Sequence, residues 1–100
     1  MNTNEQPATE LPERLRIDAV EALTETARQT LDQGQRLRLD GGSVRDTDTA
    51  GLKLLAMLRR EADRRGQPMA LDPVSPALES GLQRLGLEGH VQDSANPQGS

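Results

Sequence analysis

A chain of 100 residues that is 33% apolar and has no Phe, Tyr or Trp must build its core from Leu, Val, Ile, Ala and Met, and at this length it builds one core, not two. A net charge of -4 and the lack of aromatic rings argue against nucleic acid as a partner, because neither a basic surface nor a stacking platform is available. Without cysteine there are no disulfides or thiolate metal sites, and no apolar run nears membrane-spanning length, so a cytoplasmic protein with no direct membrane insertion is expected.

Residues 1–10 are small, polar and proline-containing, which predicts a disordered leader before a domain spanning 11–91. Leu11, Leu15 and Ile17 flank Glu13, Arg14 and Arg16 and predict a short strand, with Pro12 restricting its start to a sheet edge. Asp18 and Glu21 then form a capping pair for a helix over 19–33, in which Val20, Leu23, Ala27 and Leu31 recur at helical spacing and Gly34 supplies the left-handed stop.

Leu37 and Leu39 alternate with Arg36 and Arg38, predicting a strand over 35–39 that ends in the turn Asp40-Gly41-Gly42-Ser43. Val44, the lone apolar residue of the following loop, is expected to plug the core. The strongest helical pattern covers 50–65, where Leu52, Leu54, Leu55, Met57, Leu58 and Ala62 make a broad apolar face before Gly66. Arg59, Arg60, Arg64 and Arg65 crowd its end. They read either as a solvated helix terminus complementing the dipole or as a docking patch for an acidic partner.

A buried strand is predicted over 68–71, closed by Asp72-Pro73. Ser75 then serves as N-cap with Pro76 at the first helical position, and Leu78, Leu82 and Leu85 share a face ahead of Gly86. Leu87 and Val91 are expected to tuck under the sheet, and 92–100 to form a disordered tail. Strand and helix alternate three times, which implies a small α/β domain with a mainly parallel sheet of about four strands packed by three to four helices.

The chemistry concentrates at Asp46-Thr47-Asp48-Thr49-Ala50-Gly51. One reading makes Asp48 or Thr49 a helix cap, with Gly51 allowing close approach of helix and sheet. A second, an aspartyl-nucleophile loop for phosphoryl transfer, fails because Ala50 stands where that pattern needs Thr or Val and the chain lacks the remaining machinery. A third makes Thr49 a regulated hydroxyl: a phosphate there would meet the free amides and positive dipole end of the helix, while Asp46 and Asp48 would repel it. His90 near the end of the domain reads as a surface histidine, and Asp40, Asp46 and Asp48 have no companion cluster for a metal. Neither catalysis nor a cofactor is expected.

These residues carry a resemblance. A strand ending in Leu39-Asp40, the loop with Val44, Asp48-Thr49-Ala50-Gly51-Leu52, the helix with Leu54-Leu55 and Ala62, and Ser75-Pro76-Ala77-Leu78 through Leu85-Gly86-Leu87 resemble the STAS domain of anti-sigma-factor antagonists. The resemblance implies partner switching. In that family the hydroxyl residue after the aspartate is phosphorylated by a serine/threonine kinase that is also the anti-sigma factor, and a phosphatase resets it. Carried over, Thr49 is the phosphoacceptor, and Asp46, Asp48, Ala50, Gly51 and Leu52 complete the partner-binding surface.

Two features depart from the commoner pattern. Thr replaces Ser at the acceptor, and only about ten residues precede Leu11, which implies a sheet short of the family's additional N-terminal strand. An Asp-Thr-x-Gly-Leu core is also similar to the STAS subunit of the bacterial phospholipid-asymmetry ABC transporter, which binds the transporter's ATPase. Accessory STAS proteins of chemotaxis signalling are similar as well.

Overall fold

Where the chain can bury leucines at helical spacing it forms helices, and the two longest, of equal length, fix the layout. The structure, a computed structural model, describes residues 8–91. Two short strands, β1 (Thr9–Glu10) and β2 (Arg14–Leu15), lead into α1 (Ile17–Asp32). The chain continues through β3 (Arg38–Gly41), β4 (Asp46–Thr47), α2 (Thr49–Arg64), β5 (Ala70–Val74), α3 (Pro76–Arg84) and the single turn α4 (Glu88–Val91). It is one small α/β domain.

Every strand pairing is parallel. β3 lies between β1 and β5, with Leu39 opposite both Thr9 and Leu71, while β2 pairs with β4 through Arg14 opposite Asp46 and Leu15 opposite Thr47. The two ladders continue one another. The Leu11 amide donates to the Asp40 carbonyl (2.9 Å), and the Arg45 and Asp46 amides both donate to the Glu13 carbonyl (2.8 and 3.0 Å). The second segment simply carries extra residues between its two paired stretches, and this detour drops Val44 into the core at 1% exposure.

The predicted leader is corrected at its inner end, since Thr9 and Glu10 pair as β1 and supply an N-terminal strand; residues 1–7 and the predicted tail, 92–100, lie outside the described residues. The expected strand around Leu11 to Ile17 shrinks to Arg14–Leu15, and Ile17 belongs to α1. Asp18 does not cap that helix. Its N-cap is Arg16, which makes no side-chain capping bond.

The third predicted strand shifts to 70–74 and runs through Pro73, which an edge strand tolerates because its outer side needs no amide donor. Each long helix is followed by a glycine at positive φ, Gly34, Gly66 and Gly86, as the sequence implies. Ser75 Oγ accepts the Leu78 amide (3.1 Å), with Pro76 opening α3. Leu85 falls outside α3 and is partly exposed, and Val91 is buried in α4, which packs on α2 and α3.

The core unites Leu11, Leu15, Leu37 and Leu39 from the strand layer with Leu52, Leu54, Leu55 and Leu58 of α2 and Leu78 and Leu82 of α3. α1 packs beside α2, with Ala27 and Leu31 buried and Val20 and Leu23 half covered. The first turn of α2 is thereby clamped between β2 and α3.

Candidate functional site

Asp48 follows β4 in an extended conformation and is the N-cap of α2. Its Oδ1 accepts the Gly51 amide at 2.8 Å, an ordinary capping bond that satisfies one orphan donor of the helix. Its Oδ2 does something the local sequence cannot announce. It accepts the Ile17 amide, the first of α1, at 2.9 Å. One carboxylate thus joins the starts of two helices, and the Asp48 amide closes the arrangement by donating to the Leu15 carbonyl (3.3 Å).

These bonds favour the ionised form. The Asp48 carboxyl is held below the usual carboxylate range, chiefly by the Gly51 amide and further by the Ile17 amide and the charge of Arg16, against a smaller opposing desolvation. Asp46, half exposed, pairs with Arg16 through a 2.9 Å contact. That ion pair is solvated on both sides and contributes little to stability, but it places a guanidinium beside the two aspartates.

Thr49 occupies the first position of α2 and is exposed; Ala50 behind it is partly covered. Lys53 lies one helical turn further along the same face, also exposed. Ile17, bonded to Asp48, leaves its side chain 64% exposed next to this cluster. An accessible hydroxyl, two carboxylates, two cations and an aliphatic side chain therefore share one surface. Such a surface suits recognition.

Gly51 and Leu52 are a correction. Both are buried, so neither completes a partner-binding surface. A Cβ on Gly51 would collide with the Leu15 carbonyl oxygen and stand 2.7 Å from its carbonyl carbon, so glycine here lets α2 seat directly on β2. Leu52 packs under Gly81 of α3. Their part is to hold Thr49 in place.

Comparison with protein families matches residues 2–93 to the family described as Mlab, STAS domain. The chain belongs to this STAS family. The match covers nearly the whole chain and agrees with the parallel α/β fold. No individual curated protein gives a significant match.

Within the STAS domain, the predicted Asp46, Asp48, Thr49 and Ala50 do come together, at the junction of β4 and α2. Arg16, Ile17 and Lys53 join them and were not anticipated. Lys53 could have been found from its spacing of four from Thr49; the other two depend on contacts across 30 and 31 residues. Among the described residues no group of three or more His, Asp or Glu side chains could hold a metal ion. Asp40 instead accepts the Gly42 amide (2.9 Å) within its turn. No helix of the described residues is long and apolar enough to cross a membrane.

Proposed function

We propose that this STAS domain is a non-enzymatic regulatory protein-binding module of the anti-sigma-factor-antagonist type, whose partner docks over Thr49 and whose affinity is switched by phosphorylation of that hydroxyl. The observation that carries the reading is the exposed Thr49 at the first position of a 16-residue helix whose seat is fixed by Gly51 and Asp48. A phosphate there adds about two negative charges beside Asp46 and Asp48 without touching the buried side of the helix. The partner face passes from balanced charge to net negative and changes shape while the fold persists. The implied partner is a serine/threonine kinase that doubles as an anti-sigma factor, acting in the cytoplasm.

A specific observation favours a second reading. The Asp48 carboxylate already occupies the Gly51 amide and is ionised, so the helix start is less hospitable to a phosphate than an uncapped one. Thr49 would then be a permanent contact residue, in an accessory STAS subunit that binds the ATPase of a phospholipid-transport ABC transporter.

One experiment separates the two. Wild type, Thr49→Ala and Thr49→Glu serve as baits for native lysate with ATP, followed by mass spectrometry of the retained proteins and of the bait. The switch predicts a kinase-type ATPase held by wild type and Thr49→Ala, lost with Thr49→Glu, and phosphate on Thr49 of the wild type. An ABC ATPase held by wild type with unmodified Thr49, and lost with Thr49→Glu, supports the second reading. Identical retention by all three baits, with no phosphate, refutes both.

A further inference from the structure

The arginines at the end of α2 are not absorbed by the Thr49 site. Eleven residues along the helix, about 16 Å from Thr49, α1 and α2 leave between them a groove of about 310 Å³. Its floor is apolar, with Leu31 and Leu58 nearly covered and Met57 59% exposed. Arg28 rises from α1, and Arg60 and Arg64 from α2.

The charge of this groove departs from that of the molecule. Four arginines, counting Arg65, and a single glutamate, Glu61, line it, an excess of three positive charges on a chain whose net charge is -4. Glu61 cannot neutralise them. It accepts from Arg64 at 3.0 Å and from Arg65 at 2.9 Å, and Arg65 also bonds Asp32 at 2.7 Å, which ties the end of α1 to α2. Arg65 is thus a brace, and Arg64 is 73% exposed. Arg28 and Arg60 form no hydrogen bond or ion pair among the described residues.

Complementing only the helix dipole does not account for this arrangement. Arg28 lies a full turn before the end of α1, and Arg60 a turn before the end of α2, whereas the dipole acts within the last turn. The cations stand on both helices with an apolar floor between them. A ligand with one anionic head can satisfy one side. A polypeptide that inserts an aliphatic side chain over Met57 and carries carboxylates before and after it satisfies both.

We propose that the α1–α2 groove is a docking site for an acidic polypeptide segment with an aliphatic anchor, belonging to a protein partner and separate from the Thr49 surface. The carboxylates pair with Arg28, Arg60 and Arg64, and the anchor covers Met57, Leu31 and Leu58.

The test uses the full chain with labelled methyl groups and a hexapeptide of two leucines flanked on each side by two glutamates. Saturable NMR shifts centred on Met57, Leu31 and Leu58 are expected. Arg28→Glu combined with Arg60→Glu, both exposed positions that leave the fold intact, is expected to weaken binding about tenfold, and added salt weakens it in the wild type. Thr49→Glu leaves it unchanged, which keeps this site independent of the fate of the Thr49 reading. The proposal is overturned if the shifts are absent, if they centre on Thr49, if a peptide with lysines for glutamates binds equally, or if phosphatidylglycerol vesicles displace the peptide and bind more tightly.

Discussion

Replacing Gly51 by alanine adds a single methyl group at the point where α2 touches β2. The new Cβ would overlap the Leu15 carbonyl oxygen, lie 2.7 Å from the carbonyl carbon and reach 3.1 Å from Leu15 Cγ. The obstructing atoms are mainly backbone, and Leu15 is fully buried, so no flexible side chain can swing aside. β2 must move from α2, and that movement pulls on the Asp48 amide bond to Leu15 and on the Asp48 bond to Ile17. Overpacking of this sort costs about 1–3 kcal/mol, and the upper end applies against fixed backbone. Alanine returns about 1 kcal/mol in helix propensity. The net is a loss of about 2 kcal/mol, which in a domain of this size lowers Tm by about 8–16 °C. Thermal unfolding followed by circular dichroism measures it, with Gly89→Ala as control, because a Cβ there meets nothing within 4 Å. If Gly51→Ala melts at or above the wild-type temperature, or if both variants shift alike, the close-approach argument is wrong.

Leu55 is fully buried at the centre of α2, and Leu55→Ala is expected to lose about 2–5 kcal/mol in urea denaturation; a loss below about 1 kcal/mol would mean that the core is not centred there. Ser75→Ala removes the cap on the Leu78 amide and should lower stability by about 1 kcal/mol without changing the urea m-value. For pH, Asp48 and Glu61 both have folded-state pKa values pushed down, Asp48 first by the Gly51 amide and Glu61 first by its hydrogen bond from Arg65. The unfolded chain therefore binds more protons in acid, so their stabilisation is present above the ordinary carboxylate values of about 4 and is lost as pH falls through the lower folded values. Asp48→Asn should narrow the gap between urea midpoints at pH 7 and pH 3; an unchanged gap would remove Asp48 from the linkage.

The sequence was most legible where one residue type repeats at one period. α2 announces itself through Leu52, Leu55, Leu58 and Ala62, and α3 through Ser75-Pro76, because caps and apolar faces are local properties. The strands were less legible. Thr9–Glu10 is two residues long, too short for any alternation to register, and Arg14–Leu15 is only a part of the strand that the alternation from Leu11 to Ile17 implies; both exist because neighbouring chain offers carbonyls and amides in register. Ile17 was misplaced for the same reason: its amide is satisfied by Asp48, far away in sequence. At the site, Thr49 at a helix start could be read directly. That Gly51 lets the helix approach the sheet and that Leu52 lies on its apolar face could be read as well; which elements pack over them, here β2 and α3, could not.

The aspartate before Thr49 has a structural reason to be there that does not involve chemistry at the hydroxyl. Two amide donors from two helices converge on it, and only a carboxylate of this length presents an acceptor oxygen to each; asparagine keeps one oxygen, and serine or threonine a single hydroxyl. The presence of Asp48 is therefore no argument in favour of phosphorylation at Thr49. What bears on the proposed function is the residue that this double cap leaves exposed, together with its neighbours Arg16, Ile17 and Lys53. α2 then acts as a rigid spacer between that surface and the arginine-lined groove, about 16 Å away. A single partner long enough to reach both would make binding sensitive at once to charge on Thr49 and to salt. Separate partners would keep the two sensitivities apart, and Thr49→Glu measured against Arg60→Glu resolves which holds.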